Sequence, residues 1–240
     1  MGRAFEVRKA SMMKTGLAKS KVYTKHSREI YLAAKGGVPD PESNTNLKRS
    51  IDKAKKDSVP ADVIKRAIEK AKDSSGDDLT LMRYEGFGPG DVTIIVDCYS
   101  DNANRTISEV KNCFTKTDNK LGVNGSVSHM YDEPAIVSFQ SDLNDDDILE
   151  MLLNDDVDIS DLEIEDGIIT ITSNKDQYNN LLTCLESNIQ DISFDVSEIS
   201  MVPKHTTNLE DKDKQASFDK LIEMLNEVDD VQEIYHNLSN

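Results

Sequence analysis

The spacing of apolar residues predicts three short helices within the first 76 residues. From Ser20 to Lys35, a rotation of about 100° per residue separates a basic arc of about 80° from an opposite apolar arc. The basic arc contains Lys21, Lys25, Arg28 and Lys35. The apolar arc contains Val22, Tyr23, His26, Ile30, Ala33 and Ala34. This segment is therefore predicted to be an amphipathic helix, which the following GGVPDPE stretch ends.

Two further helices complete the predicted bundle. One runs from about Asn44 to Asp57, and the next begins at Pro60, a residue that suits the first helical position. The apolar residues expected to face the bundle core are Leu47, Ile51, Ala54, Val63, Ile64, Ala67, Ile68 and Ala71. Residues 74–78, SSGDD, are typical of a linker.

Strand patterns begin after this linker. Two apolar stretches, LMRYE and VTIIVDC, flank the glycine-rich segment GFGPGD and predict a strand, a turn and a second strand. The segment SDNANRT then begins a helix, with Asp101 or Asn102 as its N-cap. The helical residues expected to face inward are Ile107, Val110, Cys113 and Phe114.

Residues 135–202 have the pattern of a self-contained unit. Their predicted element order is βαββαβ, with a two-residue hairpin turn at Asp166 and Gly167. That order is typical of a ferredoxin-like α+β domain. A helix and a strand follow, and we expect them to return to the preceding sheet. The predicted α+β chain thus has a helical domain (1–76), a discontinuous domain (77–134 plus 203–240) and an inserted acidic domain (135–202).

Charge is strongly polarised along the chain. Residues 1–76 contain 18 Lys and Arg against 9 Asp and Glu, a net charge of +9. The whole chain has a net charge of −17, so residues 77–240 carry −26. A basic block joined to an acidic body is the electrostatic outline of a protein that presents one end to a polyanion. For any single basic stripe, a merely solvated helix face is the alternative interpretation.

Other function classes find no support in the sequence. No apolar run approaches the roughly 20 residues that span a bilayer, and the first residues lack the core of a signal peptide. We therefore expect a soluble cytoplasmic protein. Three widely spaced cysteines argue against a disulfide framework, and four scattered histidines argue against a metal site. We expect no enzymatic activity, no cofactor and no small-molecule substrate.

The glycine-rich segment RYEGFGPGD, residues 83–91, is not a phosphate-binding P-loop, because it lacks the spacing and does not lead into a helix. Its glycines are expected to supply positive φ angles in a turn. Arg83 and Glu85 could form an exposed interaction edge, and with Arg105 they make a second candidate contact surface. His26 is expected to be a satisfied core histidine rather than a catalytic one.

Several motifs resemble those of the YebC/PmpR family, which includes the mitochondrial translational activators of cytochrome oxidase. They are KVYTKHSREIYLAAKGG (21–37), DPESNTNLKRSIDKAK (40–55), VPADVIKRAIEKA (59–71), RYEGFGPGD (83–91), SDNANRT (100–106), GSVSHMY (125–131) and VPK (202–204). The opening GRAFEVRK departs from the commoner GHSKWANIKHRK and resembles the YeeN-like branch. The resemblance implies a helical N-terminal domain and two α+β domains, the third inserted in the second, without enzymatic activity or cofactor.

The resemblance also implies two functions, because family members are described as DNA-binding transcriptional regulators and as ribosome-associated factors that assist translation through proline-rich stretches. Our first hypothesis is a DNA-binding regulator that contacts phosphates with its basic domain. The candidate phosphate ligands are Arg3, Lys9, Lys14, Lys19, Lys21, Lys25, Arg28 and Lys35. The second hypothesis is a translation factor bound to rRNA or tRNA, and the third is a scaffold that recruits a basic protein.

Two further expectations concern the same basic helix. Tyr23 and Tyr31 could stack on bases or pack within the bundle. Replacing Lys21, Lys25 and Arg28 together by Glu is expected to abolish polyanion binding and leave the fold intact. We expect the protein to be a monomer.

Overall fold

The computed structural model describes residues 19–73 and 79–239, which contain seven α-helices and ten β-strands. These residues form two compact units. Among the described residues, the first unit combines those from 19 to 128 with those from 207 to 239, and the second unit comprises residues 129–206. The second unit is thus inserted into the chain of the first.

Three helices open the first unit. They are α1 (Lys19–Lys35), α2 (Thr45–Lys56) and α3 (Ala61–Lys72). The Asn44 side chain caps α2 by accepting from the backbone N–H of Leu47. Pro60 is the N-cap of α3 rather than its first helical residue, with an extended ψ of 140°. The core between the helices contains Ile30, Ala34, Leu47, Ile51, Ala54, Val59, Ile64 and Ala67.

A four-stranded antiparallel sheet completes the first unit. Its strands are β1 (Thr80–Phe87), β2 (Thr93–Ser100), β3 (Lys120–Leu121) and β10 (Val231–His236), in the spatial order β10-β2-β1-β3. The returning strand β10 therefore pairs with β2, as the sequence predicted. The helices α4 (Ala103–Lys116) and α7 (Lys212–Glu227) share one apolar core with this sheet.

Helix α4 begins at its expected N-cap but turns a different face inward. The Asn102 side chain accepts from the N–H of Arg105, which is the capping bond. Val110, Cys113 and Phe114 are buried as expected, but Ile107 is 43% exposed. Thr106 is fully buried instead. Its hydroxyl donates hydrogen bonds inside the protein. The polar Thr106 is therefore buried, while the neighbouring Ile107, which periodicity predicted to face inward, is exposed.

The second unit has ferredoxin-like topology. Its elements are β4 (Tyr131–Asp132), β5 (Pro134–Gln140), α5 (Asp145–Asn154), β6 (Asp161–Glu165), β7 (Ile168–Asn174), α6 (Tyr178–Asn188), β8 (Phe194–Ile199) and β9 (Val202–Pro203). The main sheet has the antiparallel order β6-β7-β5-β8, and β4 pairs separately with β9. Asp166 and Gly167, with φ of 54° and 77°, form the predicted two-residue hairpin turn.

The fold class is therefore α+β, with a helical N-terminal part and two sheet-containing parts, as expected. The contacts place the borders of the inserted unit at residues 129 and 206. The narrower limits of 135 and 202, and the border at residue 76, stay predictions.

Candidate nucleic-acid interface

The eight candidate phosphate ligands divide into two groups. Arg3, Lys9 and Lys14 lie outside the described residues, and the structure does not describe the Lys19 side chain. The other four belong to the basic arc of α1. Their positions decide whether that arc is a free surface.

Three cations of the arc pack against residues 228–233, which comprise the turn after α7 and the start of β10 and which we name the acidic corner. The Lys21 Nζ atom donates to the Val228 carbonyl oxygen at 3.0 Å. The Lys25 Nζ atom forms an ion pair with the Glu233 carboxylate. Arg28 donates to the acidic corner twice, to the carbonyl oxygen of Asp229 and to the Asp230 carboxylate.

These contacts change the interpretation of the basic arc. The side chains of Lys25 and Arg28 are only 18% and 17% exposed, because the arc is covered by the protein itself. Burial lowers the pKa of Lys21, and the charge of nearby Asp229 only partly offsets this effect. The cations of the arc attach α1 to the acidic corner, and their role as phosphate ligands stays a prediction. Lys35, the fourth cation, donates to the Tyr31 hydroxyl at 3.1 Å.

Asp230 is the centre of a buried polar network. Its side chain is 5% exposed, and its carboxylate accepts from the Ser100 hydroxyl at 2.9 Å, the Thr106 hydroxyl at 2.8 Å and Arg105 Nη2 at 2.9 Å. Burial alone would raise the pKa of Asp230, but the hydrogen bonds from Arg105, Thr106 and Ser100 outweigh burial and lower it. Three residues of the SDNANRT motif thus serve to hold one distant carboxylate.

Glu85, in the RYEGFGPGD motif, is also a buried carboxylate that accepts hydrogen bonds from residues elsewhere in the chain. Its side chain accepts from the backbone N–H groups of Gly125, Val127 and Ser128, at 2.8, 2.5 and 2.8 Å. Only 2% of the residue is exposed, so the expected interaction edge does not include it. These hydrogen bonds lower the pKa of Glu85 although burial alone would raise it. The glutamate thus attaches residues 125–128 to β1.

The remaining residues of the second candidate surface are also bonded internally. Arg83 lies opposite Asp97 in the sheet and donates to its carboxylate oxygens at 2.7 and 2.8 Å. Arg105 donates to Asp101 and Asp230 while its side chain stays 45% exposed. Of the glycines in the 83–91 segment, Gly90 alone has a positive φ, of 66°. Gly86 instead lies against the Phe114 ring, where a Cβ atom would collide.

Exposed cations of the helical part lie elsewhere, on α2 and α3. The exposed ones are Lys48, Lys55, Lys56, Lys65, Arg66, Lys70 and Lys72. Lys55 and Lys65 form ion pairs only with neighbours on their own helices, Asp52 at 3.4 Å and Glu69 at 3.9 Å. The charge count of the sequence included these residues, but the clear periodicity of α1 directed the candidate list to α1 and away from α2 and α3. The available signal was the run Lys53, Lys55, Lys56 at the end of α2.

His26 lies in the core, as expected. It is 2% exposed, and its Nε2 atom is 2.6 Å from the carboxylate of Asp57, the C-cap residue of α2. Its Nδ1 atom is 3.3 Å from Glu29 Oε2. Burial alone would raise the pKa of Glu29, but the adjacent His26 imidazole and the charge of Lys53 lower it to about 2. The histidine and its acidic neighbours therefore join α1 to α2.

The described residues offer neither a metal site nor a membrane-spanning helix. Residues 19–73 and 79–239 contain no group of three His, Cys, Asp or Glu side chains arranged to hold a metal ion. Among these residues, no helix has the length and apolar content to cross a membrane.

Comparison with known proteins places this chain in a family. A model described as the TACO1/YebC protein N-terminal domain matches residues 3–74. A second model, described as the TACO1/YebC second and third domain, matches residues 79–238. The chain belongs to the TACO1/YebC family. Residues 75–78 separate the two matched ranges. The sequence predicted the linker here, and the sign of the charge changes at the same place.

Relatives of this TACO1/YebC protein extend over its full length. A probable transcriptional regulatory protein of Alteromonas mediterranea is 52% identical over 99% of this chain and 98% of its own length. A protein with the same description from Acholeplasma laidlawii is 50% identical, again over 99% and 98%. A crystal structure of a conserved hypothetical protein from Aquifex aeolicus superposes with a TM-score of 0.72 at 30% identity. That match covers 92% of this chain and 90% of the other.

Proposed function

We propose that this TACO1/YebC protein is a non-enzymatic regulator of gene expression that binds nucleic acid with its N-terminal helical part. The observation that carries the proposal is the set of seven exposed cations on α2 and α3. The names of the relatives, probable transcriptional regulatory proteins, support a regulatory role.

Exposed cations exchange their partners more easily than half-buried ones. Exposed ion pairs such as Lys55 with Asp52 and Lys65 with Glu69 are screened by water and contribute little stability. A phosphate group can therefore replace the carboxylate at small cost, and the release of counterions from the nucleic acid favours binding. Lys21, Lys25 and Arg28 would instead have to leave a half-buried contact. We therefore assign the phosphate contacts to α2 and α3, together with Arg3, Lys9 and Lys14.

The acidic remainder of the chain restricts nucleic-acid binding to the basic end of the protein. Residues 77–240 carry a net charge of −26, which repels a polyanion, while residues 1–76 carry +9. A nucleic acid is thus drawn to one end of the protein. Phosphate contacts orient the protein without reading the base sequence, so a specific target requires a further contact.

Fluorescence anisotropy with a labelled 20-base-pair DNA duplex and an RNA of the same length tests the proposal. We would titrate the wild type and a triple variant, Lys48→Glu, Lys55→Glu and Lys65→Glu, between 50 and 200 mM salt. The matched control carries Lys111→Glu, Lys116→Glu and Lys220→Glu, three exposed lysines outside α1 to α3. Both triple variants have the same net charge.

We expect the first triple variant to bind at least tenfold more weakly, and its plot of log affinity against log salt to be shallower by about 3. The control variant should keep most of the wild-type affinity and slope. Equal loss in both variants would contradict the assignment to α2 and α3, and absence of binding by the wild type would contradict the function.

The kind of nucleic acid bound in cells requires a separate experiment. UV crosslinking followed by sequencing of the attached DNA and RNA distinguishes the two roles. Reads concentrated at promoters support a transcriptional regulator. Reads concentrated in ribosomal or transfer RNA would contradict that role and assign the protein to translation.

A further inference from the structure

A cleft of about 400 Å³ lies between the helical bundle and the start of α4. Helices α1 and α3 form one side, and the other side includes Asp101, Arg105 and Asp230. This volume is within the range of small-molecule sites, which begins at roughly 300 Å³. Of the seven exposed cations proposed to contact phosphates, only Lys70 lines the cleft.

The polar side of the cleft contains an arginine with unused donors. All hydrogen bonds of the Arg105 guanidinium to described residues come from Nε and Nη2. The two N–H groups of Nη1 have no acceptor within 19–73 and 79–239. Because Asp230 and Asp101 hold the group on its other edge, the guanidinium is fixed in place with one edge available. It can bind a phosphate oxygen or a base carbonyl without further ordering.

The other side of the cleft is aromatic and apolar. Tyr23 lines the cleft and is half-buried. Val63 and Ala67 of α3 lie beside it. Lys70 stands at the rim, with its Nζ atom 5.6 Å from the centre of the buried Tyr31 ring. An aromatic face next to cations is the combination that binds single nucleotides, because the ring stacks on the base while the cations attract the phosphate.

We propose that this cleft binds one unstacked nucleotide, with its base against Tyr23 and its phosphate between Lys70 and Arg105. The inference rests on the proposed nucleic-acid-binding function and names single-stranded nucleic acid as the preferred ligand. A bare phosphate suits the cleft poorly, since the carboxylates of Asp101 and Asp230 also line it. Those carboxylates accept hydrogen bonds from amino groups of a base. A base within an intact duplex cannot enter, because it is stacked and paired.

Two variants test the site. Thr24→Trp fills the cleft from an exposed position on α1, and Thr115→Trp is its control on the exposed face of α4. Lys70→Glu reverses the charge at the rim, and Lys72→Glu makes the same change two residues away, outside the cleft. The melting temperature of each variant, followed by circular dichroism, establishes that it is folded.

The first readout is the binding of AMP, followed by NMR chemical-shift changes in the full-length protein. We expect the shifts to centre on residues that line the cleft. Lys70→Glu should weaken AMP binding about tenfold, and folded Thr24→Trp should abolish it. Thr115→Trp and Lys72→Glu should leave AMP binding unchanged, because neither residue lines the cleft. Shifts that fall on α2, or equal effects of Lys70→Glu and Lys72→Glu, would overturn the proposal.

The second readout compares the binding of a 12-nucleotide single strand with the binding of its duplex. Together with the AMP titration, it shows whether the ligand of the cleft is a free nucleotide or a nucleotide within a strand. We expect Thr24→Trp and Lys70→Glu to weaken single-strand binding about tenfold and to leave duplex binding close to that of their controls. An unchanged single-strand affinity, with AMP binding lost, would assign the cleft to free nucleotides and overturn the preference for single strands.

The proposed function and this inference fail separately. If the triple variant of α2 and α3 binds duplex DNA as well as its control does, the assignment of phosphate contacts fails, while AMP binding in the cleft is unaffected. If AMP does not bind the wild type and the cleft variants bind single strands normally, the cleft proposal fails and the lysine surface stands.

Discussion

Arg105 and Asp230 form a fork that joins the start of α4 to the acidic corner. Arg105 Nη2 lies 2.9 and 3.2 Å from the two carboxylate oxygens of Asp230, and the residues are 125 positions apart. Arg28 of α1 donates to the same carboxylate. One buried carboxylate therefore connects the helical bundle, the sheet and the C-terminal strand.

Loss of the Asp230 carboxylate should be strongly destabilising. Asp230→Ala leaves Ser100, Thr106 and the two arginines without their shared acceptor in a buried site. We expect the free energy of unfolding to fall by about 3 kcal/mol, as for other buried ion pairs that lose one partner. Urea denaturation followed by circular dichroism measures it. Asp229→Ala removes the same charge from an exposed neighbour, and an equal effect of the two substitutions would contradict the network.

Glu29 should make stability depend on pH below neutrality. Its pKa is about 2 in the folded protein against an ordinary value of 4.5. Because the folded-state pKa is the lower one, the stabilisation is complete above pH 4.5 and is lost as the pH falls towards 2. We expect about 2 kcal/mol to be lost between pH 7 and pH 3 through this group.

The Glu29→Gln variant tests this dependence. Its free energy of unfolding should fall less than that of the wild type between pH 7 and pH 3, by about 2 kcal/mol. Glu69→Gln, an exposed substitution on α3, should keep the wild-type dependence. Parallel pH curves for Glu29→Gln and the wild type would show that Glu29 does not have a depressed pKa.

Glu85 should control the order of the loop that follows β3. Replacement by Ala leaves three backbone N–H groups without their acceptor, and we expect a loss of about 2 kcal/mol of stability. Hydrogen exchange should accelerate at the amides of Gly125, Val127 and Ser128, which lose their hydrogen bonds. Glu109→Ala, on the exposed side of α4, serves as the control. Unchanged exchange at these three amides would refute the role.

The contact between Lys25 and Glu233 should behave as a structural ion pair. Lys25→Glu places two carboxylates together, and we expect it to reduce stability by about 1 kcal/mol. Adding Glu233→Lys should restore part of the loss, because the pair is then reversed. A double-mutant cycle in urea measures the coupling. If the contact is only structural, nucleic-acid affinity in the reversed pair equals that of the wild type.

The contacts between α1 and the acidic corner revise an expectation from the sequence. Replacing Lys21, Lys25 and Arg28 together by Glu was expected to leave the fold intact. Their contacts with the acidic corner now predict a loss of stability as well, so reduced binding by that variant would not identify a phosphate site. The reversed pair of Lys25 and Glu233 avoids this ambiguity because it retains the contact.

Local patterns determined the secondary structure of this protein. Helix α2 lies between Asn44 and Asp57 because an N-cap and an apolar stripe at helical spacing are both local features. The ferredoxin-like order of the second unit was predictable for the same reason, since alternating strands and the Asp166–Gly167 turn act over a few residues. The polarity of charge, which supports nucleic-acid binding, is likewise a property of composition.

Only the tertiary structure decided which charged groups pair with residues distant in the sequence. A basic helix face has the same pattern whether it meets water, phosphate or an acidic turn, and Lys25 finds Glu233 across 208 positions. Glu85 was predicted to lie at an exposed edge because its donors are backbone amides about 40 positions along the chain. Thr106 could replace Ile107 inside the protein because Asp230 satisfies its hydroxyl. Hydrogen bonding between distant residues depends on the folded backbone, which residue periodicity does not encode.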